Sequence, residues 1–589
     1  MSVNDMTFKF GGEAGQGVES TGHGFAKALV RAGLHIFGLQ DYHSRIRGGH
    51  NFYQIRVADH DIYSHDERVH VLLPLTTVTV QEHLREIVPG GGVIYDPALS
   101  VDEAALAARS VQAFPVPLER IAVDEGGNKL MANTAATGAA AGLTGLGLES
   151  ISSVIRDNFG KKGGPVVDSN LKVATAAYQF AKDKYASSFP FQLQARYSVP
   201  PLRGKTAPPR MVISGNEALA MGALMAGVKF VAGYPMTPGS PILEWLSVHS
   251  KEYGIVTKHS EDEIAAINMI IGAGQMGVRA MTTTSGGGFS LMVEALGLAG
   301  MNEVPIVVVN VQRPGPATGH ATRHEQGDLL FMIYAAQGEF PRVVLAPGTI
   351  EQCFEAAYRA FNLAEKYQCP AIIISDAFLA HSLRALEMDA LDLNVPIERG
   401  ALLSDEELDR LTGPYLRHAV TESGISPRAL PGHPKAVYAT SSDEHEADGH
   451  ICEDAAVRIE QMDKRMRKLE TARAEMRAPL EYGSPEAGLT FLTWGSTLGP
   501  LRSAVEMLSA QGTPARIVQI TDIWPLPVDK VTAALRGAKK LISVEQNYSG
   551  QLATLVRAYT GIKVDGLIHK YDGRPMSPEY ILNQLKGVI

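Results

Sequence analysis

The chain has too few cysteines to bind an ordinary iron–sulfur cluster. Three cysteines occur among 589 residues, at Cys353, Cys369 and Cys452. They form no Cys-x-x-Cys pair, and they are too few to hold a four-cysteine iron–sulfur cluster. No His-Glu-x-x-His pattern of a zinc enzyme occurs either. We therefore expect no metal site in this chain, and we interpret the cysteines as reduced thiols of a reducing compartment.

The chain also lacks a positive charge excess and long apolar runs. Its formal net charge of −9 does not provide the basic surface that nucleic-acid-binding proteins need, so no nucleic-acid partner is expected. No run of 18 apolar residues predicts a transmembrane helix, so no membrane partner is expected. The first residues lack the basic and then apolar pattern of a secretory signal. These absences together predict a cytoplasmic protein.

Strand-like apolar runs alternate with helical patterns along most of the chain, which predicts an α/β fold. Runs such as 305–311 and 370–375, which are largely apolar and do not alternate, are typical of buried parallel strands in a doubly wound sheet. Pro-rich and charged stretches interrupt the alternation and suggest boundaries. The predicted parts are a first α/β domain, a linker, a doubly wound domain, a connecting region and a last α/β domain: 1–190, 191–210, 211–395, 396–487 and 488–589.

The connecting region contains a charged helix predicted over 454–476. Ile459, Met462, Met466 and Leu469 recur in it at spacings of three and four. Such a row of apolar residues is typical of a helix packed on its own domain, and it also occurs on partner-binding surfaces. The sequence leaves both interpretations open.

A glycine-rich turn follows the first predicted strand. Gly15, Gln16 and Gly17 stand where a helix begins, and backbone N–H groups at such a place favour an anion. Ser20 occupies the position of the third glycine in a dinucleotide fingerprint, and no P-loop lysine follows. The turn is therefore a candidate phosphate site, or simply a tight connection between a strand and a helix.

Two nearby arginines support the phosphate interpretation. Arg45 and Arg47 belong to a Ser-Arg-Ile-Arg-Gly-Gly segment, and their guanidinium groups are suited to clamp a diphosphate. The alternative is that both are surface residues at a turn.

Three further motifs occur where predicted strands of the 211–395 domain end. A Tyr-Pro-Met-Thr-Pro turn spans 234–238, and Glu263 begins an apolar helix. Arg313 follows the most apolar strand at the carboxyl edge, where open α/β sheets bind ligands, and its guanidinium suits a small carboxylate. The plainer alternatives are an acid that complements a helix dipole and an arginine that holds a loop.

In combination these motifs resemble the 2-oxoacid:ferredoxin oxidoreductases, in the order of a fused gamma–alpha subunit. The turn at 234–238 resembles the family's Tyr-Pro-Ile-Thr-Pro turn, with methionine in place of isoleucine. The Glu-Asp-Glu at 261–263, the Thr-Ser-Gly-x-Gly-Phe-Ser run at 284–290 and the Gln-Arg-x-Gly-Pro run from 312 resemble its pyrimidine-binding domain. The segment 544–552 resembles its transketolase-C-terminal-like domain.

The resemblance implies a gamma domain at 1–190 that is a candidate for coenzyme A binding. It implies that Glu263 contacts the aminopyrimidine of thiamine diphosphate, and that Thr237, Arg313 and Thr322 hold the carboxylate of a 2-oxo acid. It further implies a set of other cofactor contacts. These are Tyr234, Pro235 and Ser285 for thiamine diphosphate, and Gly15, Gln16, Gly17, Arg45 and Arg47 for coenzyme A.

The chain lacks the other half of what such an enzyme needs. It has no Gly-Asp-Gly segment for Mg²⁺ and the diphosphate, and no cysteines for a [4Fe-4S] cluster. The resemblance implies a beta subunit that carries both, electron transfer to ferredoxin, and an assembly of two alpha and two beta subunits.

The loop at 318–328 looks most like that of 2-oxoglutarate members. Pyruvate and branched-chain 2-oxo acids stay open as substrates, and so does a non-catalytic scaffold that binds coenzyme A or a nucleotide. A nicotinamide-dependent dehydrogenase is disfavoured by the missing third glycine.

Overall fold

The computed structural model describes residues 2–43, 48–196 and 209–588. Arg45, Arg47 and most of the predicted linker, 197–208, lie outside the described residues. The chain forms two compact units. The first consists of Met1–Ile213, Ser382–Ala390 and Ser577–Glu579, and the second of Ser214–His381, Leu391–Met576 and Tyr580–Ile589.

The first unit is built on an eight-stranded sheet. Its central strand, Met6–Ala14, pairs parallel with Val69–Pro74 and antiparallel with Gly48–Ala58. All six residues of Val69–Pro74 are buried, as expected for a strand that is covered on both faces. In spatial order the strands are Gln112–Pro115, Ile87–Tyr95, Val69–Pro74, Met6–Ala14, Gly48–Ala58, His35–Asp41, Leu383–Glu387 and Arg210–Ser214.

Helices complete the first unit. Ala132–Thr144 and Gly164–Tyr185 pack closely because Gly138 and Gly142 have no side chain; a Cβ atom on either would overlap a backbone carbonyl of the opposite helix. A two-stranded pair joins Ser2–Val3 to Phe191–Gln192. The remaining helices are Val18–Arg31, Thr77–His83, Glu103–Ala108, Leu118–Gly126 and Leu148–Phe159.

The second unit contains two sheets. The seven-stranded sheet has six parallel strands and one antiparallel edge strand, Asp522–Trp524. Its parallel strands, in spatial order, are Val256–His259, Phe230–Gly233, Ala280–Thr284, Ile306–Gln312, Pro370–Asp376 and Val343–Leu345. The five-stranded sheet has the order Leu480–Gly483, Ala515–Gln519, Leu489–Thr493, Lys540–Glu545 and Gly566–His569.

Helices cover these two sheets, and the predicted α/β fold class is confirmed. None of the helices in the described ranges is long and apolar enough to cross a bilayer. The helices of the second unit are Gly215–Met225, Ser240–Tyr253, Glu263–Gln275, Gly286–Met301, Leu329–Tyr334, Ile350–Tyr367, Ala377–His381, Asp405–Asp409, Ala455–Glu475, Leu498–Ala510, Val528–Leu535 and Gln551–Thr560. A last helix, Pro578–Leu585, closes the chain.

The charged helix of the connecting region, Ala455–Glu475, packs on its own unit with lysines inward. Lys464 and Lys468 are fully buried and both bind the buried carboxylate of Glu303, Lys464 at 2.6 Å. His418 Nδ1 lies 3.0 Å from the same carboxylate. Ile459, part of the predicted apolar row, is 63% exposed. Leu469, at the other end of the row, is 7% exposed, so the helix packs on its own unit through its buried lysines and through part of the predicted row.

Candidate functional site

An open pocket of about 490 Å³ lies where three neighbouring parallel strands of the seven-stranded sheet end. The carboxyl edge of an open α/β sheet is the usual place for a ligand. The pocket is lined by Met236, Gly286, Gly287, Ser290, Arg313, Pro314, Gly315, Pro316, Ala317, Thr318, Asp328 and Phe331.

Arg313 is the cation of this pocket's lining. It directly follows the strand Ile306–Gln312 and is only 9% exposed. Its Nη1 atom donates a hydrogen bond of 2.8 Å to the backbone carbonyl of Thr237. Burial lowers the pKa of Arg313, and the nearby carboxylate of Glu263 opposes that shift. A buried guanidinium with donors to spare is suited to bind a carboxylate in the pocket.

Two buried side chains form hydrogen bonds to the backbone of the turn that contains Thr237. Asn216 donates from Nδ2 to the carbonyl of Pro238 at 2.9 Å, and Thr283 donates from Oγ1 to the carbonyl of Gly239 at 3.1 Å. A Cβ atom on Gly239 would lie 2.8 Å from the Thr283 hydroxyl, so glycine is required for this approach. These hydrogen bonds fix the position of the turn, and the turn fixes the guanidinium of Arg313.

Glu263 is a buried carboxylate that accepts no hydrogen bond from a described residue, although its charge acts on Arg313. It is the first residue of the helix Glu263–Gln275 and is 4% exposed. Asp262 already caps this helix, because its side chain accepts a hydrogen bond from the N–H of Ala265 at 2.7 Å. Asp262 therefore caps the helix, while Glu263, in the first turn, still complements the helix dipole as the plainer alternative proposed. Leaving a buried carboxylate unpaired is costly, so Glu263 is available to a ligand.

A glycine makes room for this carboxylate. A Cβ atom on Gly288 would overlap both the carboxylate of Glu263 and the hydroxyl of Thr284. The neighbouring Gly287 lines the pocket, and its Cβ would approach the end of the Met236 side chain at 3.3 Å and the carbonyl oxygen of Ala317 at 3.6 Å. Glu263 is buried, and Gly288 leaves space beside its carboxylate. This arrangement is suited to the aminopyrimidine ring of thiamine diphosphate, because a ring nitrogen can form a hydrogen bond with such a carboxylate.

Four other residues predicted for this site do not line the pocket. Tyr234 is 42% exposed, with its ring 6.2 Å from that of His259, and Pro235 is exposed. Ser285 is fully buried, and its hydroxyl has no partner among the described residues. Thr322 is half-buried in the loop after Arg313. The pocket's lining, in the described chain, includes none of these four.

The loop after Arg313 is pinned to the five-stranded sheet through Gln326. The backbone N–H of Gln326 donates to the carbonyl of Gln546 at 2.7 Å, and its Nε2 donates to Asp376 at 3.1 Å. Thr497 donates from Oγ1 to Gln326 Oε1 at 2.8 Å. These bonds within the second unit fix the backbone on which Thr322 and Asp328 are carried.

Two acids of this loop, Glu325 and Asp328, were not predicted as site residues. Asp328 lines the pocket, and its Oδ2 accepts a hydrogen bond of 3.0 Å from Nδ2 of the buried Asn310. Burial raises the pKa of Asp328. Burial and the charge of Asp328 raise the pKa of Glu325 to about 7. The one sequence signal was their position in the same loop as Arg313.

Glu545, which the family motif at 544–552 contains, is a structural residue. Its carboxylate accepts hydrogen bonds from the backbone N–H groups of Leu552 and Ala553, at 2.8 and 3.0 Å, where the helix Gln551–Thr560 begins. Trp494 donates to it as well, at 3.3 Å. With its acceptors used, Glu545 stabilises a helix terminus rather than offering a free group.

The glycine-rich turn lies in the first unit, between the strand Met6–Ala14 and the helix Val18–Arg31. Gly15 and Gly17 have φ values of 90° and 76°, in the left-handed region that favours glycine. The carbonyl of Gln16 accepts a hydrogen bond of 2.8 Å from Asn133. A Cβ atom on Gly15 would meet no heavy atom of a described residue within 4 Å, whereas one on Gly17 would lie 2.7 Å from Asn133 Nδ2.

The cysteines do not form a reactive or metal-binding site. Cys353 and Cys369 are buried, and burial raises the pKa of Cys369 to about 12. Over the ranges the structure describes, no group of three or more His, Cys, Asp or Glu side chains is arranged to hold a metal ion.

Comparisons with known families cover most of the chain. The family described as "Pyruvate ferredoxin/flavodoxin oxidoreductase" matches residues 7–180. "Pyruvate flavodoxin/ferredoxin oxidoreductase, thiamine diP-bdg" matches residues 221–464. "Pyruvate:ferredoxin oxidoreductase core domain II" matches residues 487–581.

Individual proteins are similar over nearly the full length. The alpha subunit of 2-oxoacid:ferredoxin oxidoreductase 2 from Aeropyrum pernix is 34% identical, over 99% of this chain and 98% of that protein. The KorA subunit of 2-oxoglutarate oxidoreductase from Mycobacterium tuberculosis is 29% identical, over 94% and 87%. A solved 2-oxoglutarate:ferredoxin oxidoreductase from Magnetococcus marinus, with 2-oxoglutarate, coenzyme A and succinyl-CoA bound, superposes with a TM-score of 0.90 at 32% identity, over 99% of both chains.

Proposed function

The chain belongs to the family of 2-oxoacid:ferredoxin oxidoreductase alpha subunits, and from that premise we propose that it converts 2-oxoglutarate and coenzyme A into succinyl-CoA and carbon dioxide. Two electrons pass to ferredoxin in this reaction, which is reversible in principle. The observation that carries the proposal is Glu263, a buried carboxylate that accepts no hydrogen bond from a described residue, beside the pocket that contains Arg313.

Glu263 is the residue of this chain that activates the cofactor. Its carboxylate forms a hydrogen bond with the ring nitrogen of the aminopyrimidine and shares a proton with it. A charge-assisted bond of this kind contributes about 1.5–3 kcal/mol. Bound thiamine diphosphate supplies a nucleophilic carbon and takes up the electrons that carbon dioxide leaves behind. Tyr234, Pro235 and Ser285 complete this chain's side of the cofactor site.

Arg313 binds the carboxylate next to the oxo group of the substrate. Its bond to the Thr237 carbonyl fixes the guanidinium, so that its other N–H groups point to a constant place. Thr237 and Thr322 add hydroxyl donors. Because the carboxylate is held before it leaves as carbon dioxide, this contact orients the bond that breaks.

Coenzyme A binds at the glycine-rich turn of the first unit. Gly15, Gln16 and Gly17 open a helix of 14 residues, whose first N–H groups favour a phosphate. Arg45 and Arg47 neutralise the diphosphate. The coenzyme A in the Magnetococcus marinus enzyme supports this choice of ligand.

A beta subunit completes the active site. It supplies the Mg²⁺ ligands for the diphosphate and the [4Fe-4S] cluster that receives the electrons, because this chain lacks the Gly-Asp-Gly segment and the cysteines for them. The complex contains two alpha and two beta subunits.

The test is anaerobic viologen reduction by the complex purified from its own host, with the isolated chain beside it. The substrates are 2-oxoglutarate, pyruvate and a branched-chain 2-oxo acid, each with and without coenzyme A. We expect reduction only by the complex, only with coenzyme A in multiple turnovers, and fastest with 2-oxoglutarate. Activity on pyruvate alone would contradict the substrate assignment, and an intact complex inactive on every 2-oxo acid would favour a non-catalytic scaffold.

A further inference from the structure

One loop, residues 313–328, forms more than half of the pocket's lining, and we call it the pocket loop. Seven of the twelve lining residues belong to it: six at its start, 313–318, and Asp328 at its end. The stretch 315–320 is exposed. The position of this wall of the pocket therefore depends on what holds the two ends of the loop.

Gln312, directly before Arg313, joins the two ends of the pocket loop. Its Oε1 accepts a hydrogen bond of 2.9 Å from the backbone N–H of Asp328, and its Nε2 donates to the carbonyl of Ser375 at 3.0 Å. Gln312 is fully buried, so both bonds lie away from water, where they are electrostatically stronger. The loop therefore starts and ends at one place on the seven-stranded sheet.

Gln551, in the family motif at 544–552, holds the backbone on both sides of Asp328. Its Nε2 donates to the carbonyl of Gly327 at 2.6 Å, and its Oε1 accepts from the N–H of Leu330 at 3.0 Å. One amide side chain thus uses both its donor and its acceptor on the end of the pocket loop. The end of the loop is therefore fixed from the five-stranded sheet as well as from its own sheet.

Thr497 makes a second connection, to the fully buried side chain of Gln326 in the pocket loop. Gln326 Oε1 accepts from the hydroxyl of Thr497 at 2.8 Å and from the N–H of Gln546 at 3.2 Å. Thr497 directly precedes the helix Leu498–Ala510, where a threonine hydroxyl commonly caps the first turn. In the described chain this hydroxyl makes no capping bond, and it holds the pocket loop instead.

The bonds that hold the pocket loop are separate from those that hold the cofactor carboxylate. Glu263 begins the helix Glu263–Gln275, which follows the strand Val256–His259 at the edge of the seven-stranded sheet. None of the hydrogen bonds just described involves that helix. A change in the bonds to the loop should therefore affect the 2-oxo acid and leave the cofactor contact in place.

We infer that Thr497 and Gln551 position the pocket loop for the 2-oxo acid. The pocket's lining, over the described ranges, includes no residue beyond Phe331, so the part of the chain that forms the five-stranded sheet acts on substrate binding without contacting the pocket. Both are therefore positioning residues. This inference rests on the proposed function, and it gives the motif at 544–552 a role besides the helix terminus that Glu545 stabilises.

The first experiment compares two substitutions of Thr497 in the complete complex. Thr497→Val removes the hydroxyl at nearly constant shape, and Thr497→Ser keeps it. We expect Thr497→Val to raise the KM for 2-oxoglutarate about three- to tenfold, as loss of one buried hydrogen bond implies. Its affinity for thiamine diphosphate, measured by titrating cofactor-free complex, should equal that of wild type. Thr497→Ser should have a KM close to that of wild type.

The second experiment tests the same contacts without using activity. Gln551→Met removes the donor and the acceptor at similar length. We expect hydrogen–deuterium exchange of the complex to become faster in peptides of the pocket loop and to stay unchanged in the helix Glu263–Gln275. Gln584→Met, at an exposed glutamine of the last helix, is the matched control and should exchange like wild type.

The two experiments decide the inference together. An unchanged KM in Thr497→Val, equal changes in its KM and its cofactor affinity, or unchanged exchange of the pocket loop in Gln551→Met would overturn it. A wild-type complex that turns over no 2-oxo acid would instead contradict the proposed function, whatever the exchange of the loop.

Discussion

Arg313 donates a hydrogen bond of 2.8 Å to the backbone carbonyl of Thr237, and this bond joins the ends of two strands of one sheet. The two residues are far apart in sequence; Arg313 lines the pocket, and Thr237 supplies the carbonyl that fixes its guanidinium. The bond keeps a nearly buried guanidinium aimed in one direction, which is what recognition of a small carboxylate needs.

Replacing Arg313 with lysine will weaken substrate binding. Lysine keeps the charge but cannot hold the Thr237 carbonyl and a carboxylate in the same plane. We expect the KM for the 2-oxo acid to rise about 10- to 100-fold, as loss of a charge-assisted hydrogen bond implies. Steady-state viologen assays of the complex measure this. Arg557→Lys, at an exposed helix end, is the control, and an unchanged KM for Arg313→Lys would remove Arg313 from the substrate site.

Gly288→Ala will disturb Glu263, whereas Gly287→Ala will not. The new methyl group at position 288 overlaps the carboxylate of Glu263, but at position 287 it lies 3.3 Å from the flexible end of Met236 and 3.6 Å from the carbonyl oxygen of Ala317. Overpacking costs about 1–3 kcal/mol in unfolding free energy. We expect Gly288→Ala to lower thiamine diphosphate affinity at least about tenfold, measured by titrating cofactor-free complex. Equal behaviour of the two variants would contradict the role of this close contact.

Glu303→Gln will destabilise the connecting region. The substitution leaves Lys464 and Lys468 buried without a counter-charge, which costs about 3–5 kcal/mol. Urea unfolding of the full chain measures this, and Glu294→Gln, an exposed acid of a nearby helix, should unfold like wild type. An unchanged midpoint for Glu303→Gln would mean that the lysines are neutral or hydrated.

The same carboxylate predicts a pH dependence. Burial opposes ionisation of Glu303, but Lys468 and Lys464 hold its pKa well below its ordinary value of 4.5. A carboxyl with a lower pKa in the folded state adds stability above its unfolded pKa and loses it as the pH falls. Below pH 4.5 the unfolding free energy of wild type should therefore fall more steeply than that of Glu303→Gln. Parallel curves would contradict this assignment.

The sequence predicted the sheet that carries the site because its strands are apolar on both faces. The helix Ile350–Tyr367, which packs beside these strands, begins after a threonine cap: the N–H of Gln352 donates to the hydroxyl of Thr349 at 3.2 Å. Glu263 and Arg313 were chosen as candidates because glycine, proline and hydroxyl residues mark strand ends in the sequence, and their roles stay predictions.

The buried charges were not predictable from the sequence. Lys464 and Lys468 have the pattern of a solvent-exposed helix face, and only the distant Glu303 explains their burial. The acids Glu325 and Asp328 were likewise not singled out, because burial raises the pKa of both, with the charge of Asp328 adding to the rise at Glu325, and no local pattern records burial.

The account depends most on Glu263, and one paired measurement tests it. Glu263→Gln and Glu261→Gln replace a buried and an exposed acid two positions apart. Both variants are to be measured in the assembled complex, by viologen reduction with 2-oxoglutarate, coenzyme A and saturating thiamine diphosphate. We predict that turnover falls by several orders of magnitude in Glu263→Gln and is unchanged in Glu261→Gln. Full turnover by Glu263→Gln would contradict the claim that this chain activates the cofactor.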